Sequence, residues 1–176
     1  MFNQPITKQI PLHLQIALNE LGIQEVKGAA YNPRIGEYLA SVKLEKNDEI
    51  PWCAAFVNWC LITAKIKGTG IGLARSYELW GRALNKPELG CIAVYRRGQM
   101  QWQGHVNFFL DMHDDYIYGI GGNQSNKVSI TTIHTSKLLC FRTNPVIEKI
   151  EPLRTSGIAK LHDLNYGKDK KVPSSG

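Results

Sequence analysis

The most informative stretch of the sequence is PWCAAFVNWCLITA, which runs from Pro51 to Ala64. Its apolar residues cover so much of a helical surface that other parts of the fold must enclose most of the helix. Cys53 stands at the helix start, where free backbone N–H groups and the helix dipole favour an anion. The stretch therefore predicts a buried central helix that begins with a thiol of lowered pKa.

Two amphipathic helices are predicted before this central helix. The first carries apolar residues at spacings of three and four from Leu14 onward, and Gly22 follows as its stop signal. The second starts with Asn32 as a capping residue and Pro33 at the first helical position, and it runs to about Val42. The N-terminal part of the chain is therefore expected to be helical.

The apolar pattern changes to a period of two after Pro87, which is typical of strands. Ser76 is expected to cap one short helix through Trp80 before that change, with Gly81 ending it. The alternating segments are Ile92 to Val94, Val106 to Leu110, Tyr116 to Ile120, Val128 to Ile130 and Leu138 to Phe141. Helices followed by strands predict an α+β fold with an antiparallel sheet.

A chain of 176 residues with 43% apolar content suits one hydrophobic core. We expect a single domain over residues 1–143, helical over about 10–82 and β over about 90–143. Residues 144–176 are expected to form a C-terminal extension with a disordered end, because its final stretch is polar and basic.

The net charge of +6 favours polyanionic partners through long-range attraction. Nucleic acid is not expected among them, since no helix carries a basic stripe interleaved with aromatic residues.

The stretch from Met1 to Pro5 lacks the basic start and apolar run of a secretory signal, so we expect synthesis in the cytoplasm. The longest apolar stretch is shorter than the roughly 20 residues that a membrane helix needs, so membrane insertion is not expected. The oligomeric state is left open.

The four cysteines are Cys53, Cys60, Cys91 and Cys140. They form no CxxC pair and have no zinc-type spacing with the histidines, so neither a metal nor another cofactor is expected. Apart from Cys53, these residues are expected to be inert, because cysteine is among the residue types most often buried.

His105 is the predicted base for the thiol. Of five histidines, it alone follows a glycine and opens an apolar strand, in the run from Gly104 to Phe109. A base beside a cysteine produces the nucleophilic thiolate that amide hydrolysis needs. The remaining histidines are expected at the surface: His13, His113, His134 and His162.

A third polar residue must hold the imidazole in one tautomer. If Met112 to Asp115 form a hairpin turn, antiparallel register places His105 opposite about Gly122. Asn123, and with less support Gln124, would then lie beside the ring, where an amide oxygen accepts the Nδ1 proton. The alternative left open is that this glycine-rich segment is only a turn.

Several short motifs together resemble the NlpC/P60 and CHAP group of small bacterial and phage peptidoglycan hydrolases. They are Pro51 to Val57, Ala74 to Ser76, Gly104 to Val106, Gly121 to Ser125 and Val128 to Ile130, within a resemblance covering about residues 14–143. The resemblance implies a papain-like (NlpC/P60-type) fold with Cys53 on a helix packed against a sheet that carries His105. It also implies a Cys, His, polar-residue order, which Asn123 fits. One departure is Cys91, which stands where relatives commonly have the aspartate of Pro-Gly-Asp.

The resemblance implies cleavage of an amide bond in peptidoglycan, either within the stem peptide or between muramic acid and L-alanine. Cys53, His105 and Asn123 are then the catalytic residues. Aromatic residues are candidates for lining a groove, namely Trp52, Tyr77, Trp80 and Trp102. Arg75 is a candidate for binding a stem-peptide carboxylate or for a structural ion pair, and Gln124 is a further substrate-binding candidate.

Such an enzyme is expected to act at the cell wall or in the periplasm after export or lysis. It would serve as a phage lysin, or as a secreted antibacterial effector that an immunity or inhibitor protein neutralises. Two other classes stay open: a non-catalytic wall- or protein-binding module on a hydrolase scaffold, and a thiol acyltransferase or protease with a different substrate. Digestion of purified peptidoglycan separates them.

Overall fold

The computed structural model describes residues 10–28 and 30–147. The helices are α1 (Leu12–Asn19), α2 (Pro33–Ala40) and α3 (Cys53–Thr63), with short 3₁₀ helices at Ala74–Leu79 and Thr135–Lys137. The strands are β1 (Arg82–Leu84), β2 (Ile92–Arg96), β3 (Gly104–His113), β4 (Tyr116–Gly121), β5 (Ser129–His134) and β6 (Leu138–Thr143). Within the described ranges they form one antiparallel sheet in the order β1-β6-β2-β3-β4-β5. The predicted α+β fold, with its helices before an antiparallel sheet, is confirmed.

The first two helices lie where the sequence predicts them. Leu14 is fully buried on α1, and Gly22 follows this helix with a positive φ of 88°, a conformation that glycine adopts at little cost. On α2, the Asn32 side chain accepts a hydrogen bond from the backbone N–H of Arg34 at 2.9 Å, and Pro33 is the first helical residue. Both end signals therefore work as their chemistry predicts.

The helix α3 is the centre of the fold. Eight of its eleven residues are buried, which agrees with the wide apolar surface predicted for it. It packs against α1, α2 and β3, and β3 contributes Val106, Phe108 and Leu110 to the same core. The predicted layout, with Cys53 at the start of a central helix that packs on an antiparallel sheet, is thus confirmed.

The segment between α3 and the sheet differs from its prediction. Its 3₁₀ helix begins at Ala74, so Ser76 lies inside the helix, and the Ser76 hydroxyl donates to Thr69 Oγ1 at 3.0 Å instead of capping. The strand β1 was not predicted, because three residues are too few to show a period of two. Since β1 pairs with β6, the sheet begins before residue 90.

His13 is a buried residue, which corrects the prediction of a surface histidine. Its side chain is fully enclosed, and its Nε2 donates to the carbonyl oxygen of Gly90 at 2.7 Å. Burial lowers the pKa of His13, and this hydrogen bond offsets part of the effect. His13 therefore supports the turn before β2, which contains Cys91.

His113 and His134 are exposed, as predicted, whereas His162 lies outside the described residues. The predicted C-terminal extension also lies outside them from residue 148 onward, as does the stretch from Met1 to Pro5. Across the ranges that the structure covers, every helix is too short or too polar to cross a bilayer.

Gly122 lies where the loop after β4 packs on the start of α3. A β carbon at this position would lie 2.6 Å from the Trp52 ring and 2.7 Å from the Phe56 β carbon. Gly122→Ala is therefore expected to destabilise the protein by about 1–3 kcal/mol through overpacking. Urea unfolding measures this change. Exposed Lys127 in the same loop serves as control, and Lys127→Ala should stay within about 0.5 kcal/mol. Equal midpoints for the two variants would contradict this packing.

Candidate active site

Cys53 is the first residue of α3, and only 4% of it is exposed. No side chain caps this helix end, so its free N–H groups favour an anion there. Burial would by itself raise the pKa of Cys53. The neighbouring His105 side chain and its charge oppose this effect, as do the backbone N–H groups of Val106 and Ala54, and the pKa of Cys53 is lowered below the ordinary thiol value.

The other three cysteines have the opposite electrostatics. Burial raises the pKa of Cys60 well above its ordinary value and raises that of Cys91 to about 12. The pKa of half-buried Cys140 is also raised, mainly by burial. All four cysteines are free thiols. Cys53 is therefore the one thiol of the four whose pKa is lowered by its surroundings.

Selective alkylation is the expected consequence of this difference. At neutral pH, iodoacetamide should label Cys53 in the folded protein much faster than Cys60 or Cys91, since the thiolate is the reactive form. Mass spectrometry of peptides after short labelling times measures the rates. Labelling in denaturant is the control, because all four thiols should then react alike. Equal labelling of Cys53 and Cys60 in the folded state would contradict an activated Cys53.

The His105 imidazole is held by Gln124. The Nε2 atom of His105 lies 2.9 Å from Gln124 Oε1, and both side chains are buried. The orientation of the amide follows from its other contact, because Gln124 Nε2 lies 2.6 Å from the carbonyl oxygen of Ser129. A carbonyl accepts only, so the NH₂ group must point at Ser129 and the amide oxygen at the imidazole.

This orientation sets the tautomer of the imidazole. Because Gln124 Oε1 can only accept, His105 Nε2 carries the proton, and in the neutral ring Nδ1 has the free lone pair. Nδ1 is buried and has no hydrogen-bond partner of good geometry among the described residues. The Cys53 thiol interacts with the same ring. Nδ1 is therefore the atom available to take the proton of Cys53.

A buried polar network supports this arrangement. Gln124 Oε1 also accepts from Asn107 Nδ2 at 3.1 Å, so that both of its lone pairs are used. Tyr95 OH in turn donates to Asn107 Oδ1 at 3.1 Å, and the Tyr95 ring stacks on the imidazole with centroids 6.2 Å apart. A buried network of hydrogen bonds of this kind holds its members in one geometry.

Asn107 and Tyr95 are members of the site that sequence reasoning missed. The signal for Asn107 was present, because it lies two residues after His105 on an otherwise apolar strand and so shares the same face. A buried amide in that position needs partners. Tyr95 pairs directly with His105 across β2 and β3, a register that the sequence does not specify.

Asn123 does not make the hydrogen bond predicted for it. Gln124 occupies that place, and the ring atom involved is Nε2 of His105 instead of Nδ1. Asn123 is half-buried with a positive φ of 55°, and it faces the cleft beside the imidazole. The structure therefore brings Cys53, His105 and Gln124 together, with Asn123 next to them.

The physical reason for this difference is the register of the β3–β4 hairpin. His113 pairs with Tyr116, so the turn lies later in the chain than predicted, and a bulge between Phe109 and Asp111 shifts the register again. Regular pairing ends with Phe108 opposite Ile120. The loop after β4 continues from this shifted register and brings Gln124, one residue later than predicted, to the ring.

The predicted substrate-binding residues Trp52 and Trp80 are both buried. Trp52 is fully buried, stacks on Tyr38 and donates from Nε1 to Glu25 Oε1 at 2.9 Å. Trp80 is 8% exposed and donates to the backbone carbonyl of Lys67. Both indoles are parts of the core, which is the common role of large aromatic residues.

Arg75 is engaged within the protein. Its guanidinium forms an ion pair with Glu78 and donates to the carbonyl oxygen of Gln103 at 3.4 Å. The side chain also packs against Gly104, directly before His105. Of the two roles considered for Arg75, the structure shows the structural ion pair. Among the remaining aromatic candidates, Tyr77 is buried and Trp102 is 60% exposed.

An open cleft of about 350 Å³ lies beside His105. Its walls come from the end of β2, the loop after β4, β5 and the following 3₁₀ helix. The lining residues are Tyr95, Arg96, Arg97, Gly98, His105, Asn123, Gln124, Ser125, Thr131, Ile133 and Lys137. Of the four predicted substrate-binding residues, only Gln124 lines this cleft, and its amide is already bound to the imidazole network.

In a comparison with known protein families, one family model matches part of the chain. Residues 45–123 match the family model described as the CHAP domain. No curated protein matches. Among solved structures, a protein described as similar to lipoprotein, NLP/P60 family, from Staphylococcus aureus subsp. aureus Mu50, is 15% identical with a TM-score of 0.45. That match covers 82% of this chain but only 43% of the other, so the chain spans less than half of that protein's length. The matched residues include Cys53 and His105, so the part of the chain that holds the site is similar to the CHAP domain.

Proposed function

We propose that this protein is a cysteine hydrolase that cleaves an amide bond of peptidoglycan, with Cys53 as nucleophile, His105 as base and Gln124 as the residue that orients the base. The observation that best supports this proposal is a single thiol of lowered pKa beside an imidazole whose tautomer is set by a buried amide. This is the arrangement that amide hydrolysis by a thiol requires. Gln124 takes the role that sequence reasoning assigned first to Asn123.

The proposed reaction follows from the placement of the protons. His105 Nδ1 takes the proton of Cys53, and the thiolate attacks the amide carbonyl carbon. The backbone N–H of Cys53 stabilises the resulting oxyanion. The C–N bond then breaks, the amine leaves with the proton from His105, and a thioester to Cys53 remains. Water, deprotonated by His105, hydrolyses the thioester to a carboxylic acid and restores the thiol.

Two observations support peptidoglycan as the substrate. The first is the match of residues 45–123 to the CHAP domain, because proteins of that family act on this polymer. The second is the net charge of +6, which favours association with anionic cell-wall material. The bond is proposed to lie within the stem peptide or between muramic acid and L-alanine.

Digestion of purified sacculi tests this function. The wild-type protein should release muropeptides whose masses correspond to hydrolysis of one amide bond, and the products identify that bond. The Cys53→Ala protein, equally folded by circular dichroism, is the control and should leave the sacculi unchanged. Intact sacculi after incubation with wild-type protein would contradict the proposal and favour a non-catalytic wall-binding module.

The biological setting proposed for this activity is the cell wall or periplasm, reached by export or by lysis. In that setting the protein is a phage lysin or an antibacterial effector with its own inhibitor protein. The neighbouring genes distinguish the two. A holin gene beside this one indicates a lysin, whereas a gene for a small secreted inhibitor indicates an effector.

A further inference from the structure

The cleft beside His105 carries a charge that the reaction chemistry does not require. Arg96, Arg97 and Lys137 contribute to its lining, and no aspartate or glutamate does. All three are exposed, and within the described part of the chain none forms an ion pair. Arg75, close by, is neutralised by Glu78. The cleft is therefore a concave surface with three unpaired cations.

The position of the cleft indicates which half of the substrate it would hold. His105 lines the cleft, whereas Cys53 does not. In amide hydrolysis the acyl half becomes bonded to the thiol, and the amine half receives its proton from the imidazole. A cleft that borders the imidazole and not the thiol is therefore placed to hold the amine half.

We propose that this cleft binds the amine half of the substrate and that this half is a peptide with at least two carboxylates. The inference rests on the proposed hydrolase function and specifies its substrate class. Arg97 and Lys137 come from different walls of the cleft, the segment after β2 and the 3₁₀ helix after β5. Two separated cations select for two separated anionic groups, and guanidinium groups suit carboxylates through their planar forks.

Binding of small peptides to the full-length Cys53→Ala protein tests this inference without turnover. The probes are the dipeptide Ala-Glu, which has a free amine and two carboxylates, and its counterpart Ala-Gln-amide, which keeps the free amine but has no carboxylate. Nuclear magnetic resonance titration at low salt measures both affinities and locates the perturbed residues. Ala-Glu should bind at least about tenfold more tightly, with shifts at His105 and around Arg97, and salt should weaken it.

Matched variants distinguish the effect of the cations in the cleft from the effect of the net charge of the protein. In the same background, Arg97→Gln and Lys137→Gln should each weaken Ala-Glu binding by up to about fivefold. Arg82→Gln removes the same charge from exposed β1, at the other edge of the sheet, and should leave the affinity unchanged. Equal binding of the two peptides, shifts remote from the cleft, or equal weakening by Arg82→Gln would each overturn the inference.

A parallel digestion of sacculi by the wild-type protein separates this inference from the proposed function. Digestion together with equal binding of the two peptides would overturn the carboxylate cleft alone. Intact sacculi together with selective Ala-Glu binding in the cleft would support the carboxylate site and overturn the hydrolase function.

Discussion

Replacing Cys53 or His105 with alanine is expected to lower turnover on peptidoglycan by at least about 10³-fold each. Cys53→Ala removes the atom that attacks the carbonyl, and His105→Ala removes both the base that forms the thiolate and the acid that protonates the leaving amine. Because the two residues act as one unit, the double variant should be little slower than either single variant. Release of soluble muropeptides from sacculi measures these rates.

The matched control for this experiment is Cys60→Ala. Cys60 lies on the same helix and is fully buried, but burial raises its pKa well above the ordinary value, so it takes no part in the proposed chemistry. Turnover should stay close to wild type in this variant. A Cys53→Ala protein that still releases muropeptides at a rate near that of Cys60→Ala would exclude Cys53 as the nucleophile.

Gln124→Leu is expected to produce the second largest effect, a fall in kcat of about 10- to 100-fold, as when partners that orient a functional imidazole are lost. Leucine cannot accept the proton of His105 Nε2, so the ring loses its fixed tautomer and orientation. Asn107 Nδ2 also loses its acceptor in a buried site. Stability should therefore fall by about 1–3 kcal/mol in urea unfolding.

The variant Asn123→Gly tests whether the amide of Asn123 or that of Gln124 orients His105. Glycine tolerates the positive φ of 55° at this position, so the variant removes the Asn123 amide without straining the loop. It should lower kcat far less than Gln124→Leu does. The reverse order of the two effects would show that Asn123, and not Gln124, orients His105 during the reaction.

Much of the fold follows from local patterns in the sequence. The wide apolar surface around Phe56 predicts a buried helix, and the glycine before His105 with the apolar run after it predicts a strand start. Asn32 and Pro33 mark a helix start with side-chain chemistry alone, which the structure reproduces. Such features can be predicted from the sequence because they depend on residues that are close together in the chain.

The contacts between distant segments were less predictable. A bulge between Phe109 and Asp111 changes the register of the hairpin, and nothing in the local pattern marks it. The choice between Asn123 and Gln124 depends on that register and on a loop with positive φ angles at Asn123, Ser125 and Asn126. His13 was predicted at the surface because the carbonyl oxygen that its side chain binds, that of Gly90, belongs to a residue 77 positions away in the chain.

The pH dependence of Cys53 alkylation, in wild-type protein and in His105→Ala, tests the Cys53–His105 pair most directly. A group of lowered pKa stays ionised below its ordinary range, so wild-type alkylation should persist well below pH of about 8.5, the usual thiol value. Without the imidazole, burial is the largest remaining influence on the pKa of Cys53, so the midpoint of the alkylation profile should move to higher pH and reactivity at neutral pH should fall. Superimposable pH profiles for the two proteins would contradict the thiolate–imidazole pair.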